Sequence, residues 1–215
     1  MMERYGNYGQ LRENEKEGED YRIHFRRGIS GILVMAPHGG GIEPGTTEMA
    51  DAVAGDEHSF YSFEGLKRRR NLSLHITSRR FDEPVGVRMA KDSETILALH
   101  GCGGKERVIY IGGRDGVLRE KARTALEKAG FSVQEDPRFP GKSPLNICNR
   151  SRLGQGVQLE VTISLRRLMF RHLSRIKRKH TTILFEKFVM ALKTALSESC
   201  VWARPTAQEG ISEGT

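Results

Sequence analysis

Short apolar runs that end in glycine or proline recur through the middle of the chain. Runs of this kind, bounded by residues that break regular structure, are typical of buried β-strands. They predict strands at Ile29–Ala36, Phe60–Phe63, Leu72–Ile76, Thr95–Leu99, Val108–Ile111, Phe131–Gln134 and Val157–Ile163.

Segments with apolar residues at helical spacing lie between these runs. The spacing predicts helices at Thr47–Ala54 and Gly116–Ala129, and a long helical region at Leu165–Leu196 with a break near His180. Because strands and helices alternate, we predict a single α/β domain with a mixed, largely parallel sheet and helices on both faces.

The two ends of the chain are more polar than its middle. Residues 1–20 contain a cluster of acidic side chains and little apolar surface to bury, so we expect a flexible N-terminal arm. The folded domain is expected at 21–200, and residues 201–215 are expected to form a flexible tail.

Composition excludes several classes of protein. Of 215 residues, 37% are hydrophobic and 29% charged, which is typical of a globular chain rather than a disordered one. No apolar run is long enough to cross a bilayer and no secretory signal is readable, so we expect a cytoplasmic monomer without membrane contact. The three cysteines form no CxxC pair, and reduced thiols are expected.

The net positive charge of the chain indicates an anionic partner. Lys and Arg number 35 against 27 Asp and Glu, which gives a formal charge of +8. Nucleic acid is one candidate partner, because the predicted helix from Arg166 to Lys179 would carry a cationic face suited to phosphates. An anionic substrate is the other, and such a face is more often simply solvated.

Polar side chains follow three of the predicted strands. His38 comes just after the first strand, and His100 directly follows Thr95–Leu99. Glu160 lies within Val157–Ile163. Glycines surround both histidines, and Glu43 stands five residues after His38. Because ligands of α/β sheets collect beyond the carboxyl ends of the strands, these residues are the candidate site.

Two imidazoles and one carboxylate make up a common catalytic zinc set, which leaves a fourth position open for water. A carboxylate outside that set, such as Glu160, is suited to act as general base. The alternative is that the histidines are hydrogen-bonded structural residues and that Glu160 pairs with an arginine such as Arg152.

Other chemistry fits the sequence less well. Gly141-Lys142-Ser143 lacks the first glycine of a phosphate-binding loop, and no GxSxG elbow is present. Cys102 follows His100 but is interpreted as a packing residue rather than a nucleophile. The remaining histidines show no ligand spacing and are interpreted as surface or hydrogen-bonded residues; those considered are His58, His75, His172 and His180.

Several longer motifs resemble one known family, the phage and prophage poly-γ-glutamate hydrolases. They are HGGGIEPGTTE at 38–48, FYSFEG at 60–65, LHITS at 74–78, FDEP at 81–84, LHG at 99–101 and GVQLE at 156–160. The resemblance runs from about Tyr21 to Ala195, and some bacterial members are labelled phage-related replication proteins.

The resemblance implies a carboxypeptidase-like α/β fold and a zinc-dependent hydrolase that cleaves the γ-glutamyl amide bonds of poly-γ-glutamate. It implies that His38, Glu43 and His100 bind one Zn²⁺ and that Glu160 is the general base. Carboxypeptidases space their first His and Glu as HxxE, whereas this chain has HxxxxE. We therefore expect a loop, not a helical turn, to present Glu43.

Poly-γ-glutamate carries one free carboxylate per residue, and arginine binds carboxylates in a bidentate manner. The candidate substrate contacts are Arg79, Arg80, Arg88, Arg166 and Arg167, with a solvated face or structural ion pairs as the alternative. Two other functions stay open from the sequence: a nucleic-acid-binding, replication-associated protein, and a zinc amidohydrolase for small N-acyl or γ-glutamyl amino acids. The protein is expected in the cytoplasm, and the sequence leaves its release on host lysis open.

Overall fold

Seven strands form one mixed sheet in the computed structural model, which describes residues 3–198. The order across the sheet is β1-β3-β2-β4-β7-β5-β6. The strands are β1 (Tyr21–Arg26), β2 (Ile32–Gly40), β3 (Ser59–Gly65), β4 (Thr95–Cys102), β5 (Val108–Gly113), β6 (Ser132–Gln134) and β7 (Val157–Thr162).

The centre of the sheet is parallel. β3, β2, β4 and β7 all run in one direction, whereas β1 pairs antiparallel with β3 and β5 pairs antiparallel with β7. The chain passes from β2 to β3 on one side and places β4 on the other side of β2. The carboxyl ends of β2 and β4 therefore flank a topological switch point, where α/β proteins bind ligands.

Within residues 3–198, six α-helices cover the two faces of the sheet. They are α1 (Tyr8–Asn14), α2 (Thr46–Ala54), α3 (Pro84–Asp92), α4 (Gly116–Lys128), α5 (Ile163–Met169) and α6 (Ile183–Ser197). One apolar core lies between the sheet and α2, α4, α5 and α6, and a second lies beside α1 and α3. Successive residues of β2 alternate between them, Val34 in the first and Met35 in the second.

These observations confirm the predicted α/β class and the largely parallel sheet. Among residues 3–198, no helix is both long and apolar enough to cross a membrane. The expected tail at 201–215 lies outside the described residues.

The N-terminal segment differs from the flexible arm expected for residues 1–20. It contains α1, and Tyr5, Tyr8 and Leu11 are buried in the second core. The Tyr8 backbone N–H donates to Asp82 Oδ1 at 2.6 Å, and the Tyr5 hydroxyl donates to Glu15 Oε1 at 2.6 Å. Three buried apolar side chains at a spacing of three residues outweigh the acidic composition that suggested disorder.

The segment Leu72–Ile76, predicted as a strand, is not one. Asn71–Leu74 forms a 3₁₀ helix, and Leu74 and Ile76 are buried beneath it. β3, the strand before it in the chain, already pairs with β1 and β2, so neither of its edges is free to accept another strand.

The prediction of a continuous basic helix from Arg166 to Lys179 is also wrong. α5 ends at Met169, because Phe170 takes an extended backbone and is buried in the first core. Between residues 170 and 179, only Lys177–Lys179 is helical, as a short 3₁₀ turn. Within this stretch Arg178 is buried and forms an ion pair with Glu48 at 2.7 Å.

Besides α1, two further elements were not predicted, α3 and β1. α3 begins with Pro84, and the Glu83 carboxylate caps it by accepting hydrogen bonds from the backbone N–H groups of Val85 and Gly86. β1 is an edge strand with mixed polar and apolar residues, which gives no continuous apolar run.

Candidate metal centre

The polar residues that the sequence analysis selected lie on three neighbouring parallel strands. His38 lies near the end of β2, His100 near the end of β4, and Glu160 in β7. His100 and Glu160 are directly paired in the β4–β7 register, so their side chains emerge side by side on the same face of the sheet.

Glu43 reaches the same point from the loop between β2 and α2. Its backbone N–H donates to the His38 carbonyl at 2.9 Å, and the Thr46 hydroxyl donates to the Glu43 carbonyl at 2.9 Å. The Gly101 N–H then donates to Glu43 Oε2 at 2.8 Å, which fixes the carboxylate beside His100. A loop presents Glu43, as the HxxxxE spacing indicated.

The ligand atoms of these residues converge. His38 Nδ1 lies 3.0 Å from Glu43 Oε1 and 3.1 Å from His100 Nδ1, and His100 Nδ1 lies 3.7 Å from Glu43 Oε2. Zinc bonds of about 2.0–2.2 Å at the tetrahedral angle separate ligand atoms by about 3.3–3.6 Å. The three separations bracket that range.

Hydrogen bonding shows why a cation suits this point. His38 Nε2 lies 2.8 Å from the Ile76 carbonyl, which can only accept, so Nε2 carries the proton. In the neutral ring the Nδ1 lone pair then faces a carboxylate oxygen and a second imidazole nitrogen. The His38 lone pair and the Glu43 carboxylate oxygen therefore repel each other unless a proton or a metal ion lies between them.

The charges of the buried groups reflect the same arrangement. Burial opposes ionisation of Glu43, but the neighbouring His38 and the hydrogen bond with His100 outweigh it and lower its pKa. For His100, burial disfavours the charged ring, whereas the contact with Glu43 and the charge of Glu160 raise its pKa. Both pKa shifts therefore favour positive charge beside the Glu43 carboxylate.

His75, which showed no ligand spacing in the sequence, also lies at this centre. Its ring packs against that of His38 with centroids 4.0 Å apart, and its Nε2 lies 3.8 Å from Glu43 Oε1. Ligand atoms of His38, Glu43 and His75 all lie within 4.8 Å of one another. His75 directly follows the 3₁₀ helix Asn71–Leu74, and its position depends on a tertiary contact that chain spacing does not reveal.

Glu160 lies beside the convergent atoms but has a different charge state. Burial is the main cause that raises its pKa, to about 7, and the nearby Glu43 carboxylate adds to the rise. The two carboxylates of the site thus differ, because the pKa of Glu43 is lowered and that of Glu160 is raised. Such a pair is a common signature of acid–base chemistry.

Cys102 is close to the site but is not suited to nucleophilic attack. Burial, followed by the charge of Glu160, raises the pKa of its thiol to about 11. Because the thiolate is the reactive form, this thiol stays unreactive at neutral pH.

Two cavities meet at the centre. The larger, of about 1080 Å³, is lined by Glu43 and His75 and extends towards Leu72, Arg80 and Ile163. The smaller, of about 440 Å³, contains His38, His100 and Glu160 and extends towards Phe139 and Lys142. Glu43, His75 and Arg79 line both, so a ligand in either cavity can touch the centre.

The five arginines predicted as substrate contacts take different positions. Arg79 and Arg80 are exposed and line the larger cavity, and Arg166 lines it from below. Arg88 and Arg167 are exposed but are not among the residues that line either cavity. Substrate contact stays a prediction for these residues.

Arg166 is part of the framework of the site. It is buried, and its guanidinium donates to the carbonyls of Val161 at 3.1 Å, Pro44 at 2.6 Å and Cys102 at 3.1 Å. It therefore ties the loop that carries Glu43 to the ends of β4 and β7. Gly101 makes room for it, since a Cβ there would lie 2.5 Å from Arg166 Cζ.

Known proteins share this fold and much of this sequence. YndL of Bacillus subtilis (strain 168), a UPF0714 protein, is 39% identical over 169 residues, which are 77% of this chain and 66% of YndL. The SPbeta prophage-derived UPF0714 protein YoqZ of the same organism is 33% identical over 201 residues, 92% of this chain and 73% of YoqZ.

Solved structures agree closely with this one. A bacteriophage poly-gamma-glutamate hydrolase has a TM-score of 0.90 at 33% identity, covering 92% of this chain and 98% of its own. A zinc-free apo form of YndL has a TM-score of 0.88 at 36% identity, covering 92% of this chain and 99% of its own. The family model for poly-gamma-glutamate hydrolase matches residues 5–191, and the chain therefore belongs to the poly-gamma-glutamate hydrolase family.

Proposed function

We propose that the protein is a zinc-dependent hydrolase that cleaves the γ-glutamyl amide bonds of poly-γ-glutamate, with Glu160 as the general base. The observation that carries the proposal is the convergence of His38 Nδ1, His100 Nδ1 and the Glu43 carboxylate beside Glu160, which pairs with His100 across β4 and β7. Family membership and the zinc-free form described for the similar protein YndL support it.

His38, Glu43 and His100 are the residues that would hold the ion. Two imidazoles and one carboxylate are a common zinc set in hydrolases. Bound there, zinc would polarise the scissile carbonyl and make a water molecule acidic enough to attack near neutral pH.

Glu160 moves the protons. As a carboxylate it accepts a proton from the attacking water, and as a carboxylic acid it returns that proton to the leaving amide nitrogen. A pKa of about 7 serves both steps, because a general base works best when its pKa is close to the working pH. Its place in β7 beside His100 supports this role.

The two cavities fit a long anionic substrate. Cationic side chains line both, with Arg79 and Arg80 at the larger and Lys142 at the smaller. A poly-γ-glutamate chain that crosses the centre would meet a cation on each side of the bond to be cleaved. Arginine and lysine at these points are suited to its free carboxylates.

The test is hydrolysis of poly-γ-glutamate by the zinc-loaded protein, followed as the loss of polymer length. We expect a chelator to abolish cleavage and added zinc to restore it. E160Q is expected to retain zinc, measured by elemental analysis, and to lose about 100-fold or more of the turnover. H38A is expected to lose both the bound zinc and the turnover.

Two outcomes would contradict the proposal. Full cleavage in the presence of the chelator would remove zinc from the reaction, and an active E160Q would assign the base elsewhere. Small γ-glutamyl and N-acyl amino acids, tested in parallel, show whether the polymer is the preferred substrate.

A further inference from the structure

The N-terminal segment reaches the candidate metal centre. Glu3 lines the larger cavity, and its Oε1 accepts a hydrogen bond from the Thr77 backbone N–H at 2.6 Å. The same oxygen lies 3.2 Å from His75 Nδ1. A residue at the start of the chain thus contacts a histidine of the centre.

This contact fixes the orientation of the His75 ring. An ionised carboxylate can only accept, so the Nδ1 beside Glu3 carries the proton and Nε2 keeps its lone pair. That Nε2 faces Glu43 Oε1 at 3.8 Å, close to the 3.7 Å between Glu43 Oε2 and His100 Nδ1. Metal-binding histidines commonly have a carboxylate on the second ring nitrogen in this way.

Glu3 is held firmly enough to act on His75. Tyr5, two residues later, is buried, and its hydroxyl donates to Glu15 Oε1. Tyr8 follows in α1 and packs with Tyr21 and Phe63 in the second core. Residues 3–7 are therefore anchored beside the centre rather than lying free in solvent.

We propose that His75 is a further metal donor of the centre and that Glu3 is the positioning residue that directs its Nε2 there. The inference rests on the proposed function, since it needs a metal at His38, Glu43 and His100. Zinc in hydrolases expands to five-coordinate during reaction, so a fourth protein donor is compatible with an attacking water.

The test measures metal binding rather than hydrolysis. The probes are zinc affinity, by competition with a chromophoric chelator, and the visible absorption of the Co²⁺-loaded full chain. H75F keeps a ring against His38 and removes the nitrogens, and E3Q keeps an acceptor for Thr77 and removes the charge. We expect each to lower zinc affinity, by about 10- to 100-fold for changes of this type, and to shift the Co²⁺ spectrum.

Two variants serve as matched controls. H24F alters a histidine whose Nδ1 lies 3.2 Å from Glu64 Oε1, the same kind of pair away from both cavities. E13Q removes an exposed charge from α1. Both are expected to bind zinc like the unmodified protein, and thermal melting shows which variants are folded.

H75F and E3Q that bind zinc normally and leave the Co²⁺ spectrum unchanged would overturn the inference, provided that H38A loses the metal. If H38A also binds zinc normally, the metal centre itself is wrong, and both proposals fail. If H75F does not fold, E3Q alone decides, because its substitution preserves the size and the acceptor of the side chain.

Discussion

Glu160 is a residue whose position costs stability. Its side chain is half-buried near Glu43, and desolvation raises its pKa to about 7, from an ordinary value of 4.5. A raised carboxyl pKa means that the fold favours the protonated form. Its stabilising effect is present below pH 4.5 and is lost as the pH rises through 7, so the ionised carboxylate destabilises the fold above neutrality.

E160Q is therefore expected to raise the melting temperature of the metal-free protein at pH 8.5. One pKa unit corresponds to about 1.4 kcal/mol, and 1 kcal/mol to about 2–4 °C at this chain length, so a rise of several degrees is expected. The measurement is calorimetry in the presence of a chelator. At pH 5.5, where the folded carboxyl is mostly protonated, the difference between the two proteins should be smaller; a pH-independent difference would contradict the argument.

The sequence predicts some residues of the candidate site and misses others, and the difference has a physical reason. His38, His100 and Glu160 are visible because each follows or lies in an apolar run, and parallel strands bring such positions to one edge. His75 and Glu3 are not visible, because a 3₁₀ turn and an anchored terminus bring them in by tertiary packing. Substrate contact by Arg166 stays a prediction, and its guanidinium also donates to three backbone carbonyls.

Among the elements, the N-terminal helix α1 departs most from expectation. Its Leu11 is fully buried in the second core, although the helix itself is short and exposed on its other side. A helix of this length is not stable alone, so its order depends on that packing. The segment is thus held by the core and in turn holds Glu3.

L11A is expected to destabilise the whole domain rather than release a loose end. Truncating a buried leucine to alanine costs about 2–5 kcal/mol, which at this size lowers the melting temperature by about 5 °C or more. R12A, at the exposed neighbouring position, is the control and should melt like the unmodified protein. Equal melting of L11A and R12A would mean that α1 does not pack on the core in solution.

The elements that the sequence predicts well are those whose signal is local. α2 and α4 have helical spacing, and β2, β4 and β7 have apolar runs, so all five agree with expectation within a few residues. In the C-terminal region, α6 begins just after the predicted break near His180, but residues 170–179 differ from the prediction because the helical spacing continues past Met169 while Phe170 turns into the core. Burial of one large side chain outweighs a weak helical preference.

For the molecule as a whole, the surplus of positive charge now has a structural setting. Part of it is used internally, since Arg178 pairs with Glu48 and the Arg175 guanidinium donates to the Leu66 carbonyl at 3.0 Å. Another part, Arg79 and Arg80, lines the larger cavity. The continuous cationic helix that would favour nucleic acid is not formed.

We therefore expect duplex DNA to bind only weakly and without dependence on metal. Its affinity should fall steeply between 50 and 200 mM salt, as counterion release requires for roughly 6–10 phosphate contacts, and a chelator should not change it. Binding of poly-γ-glutamate to E160Q should instead weaken when zinc is removed. Fluorescence anisotropy with both labelled polymers compares them; tight DNA binding at 200 mM salt would favour the replication-associated alternative.

The pairing of β2 with β4 has a consequence for how the chain assembles. His38 and His100 are 62 positions apart, and only that pairing brings their rings together. Contacts between such distant positions form late, because the intervening chain must first lose its freedom. A metal ion at this centre would then bind after the sheet has formed and would not nucleate its folding. Metal uptake during refolding would therefore report the time at which β2 and β4 have paired.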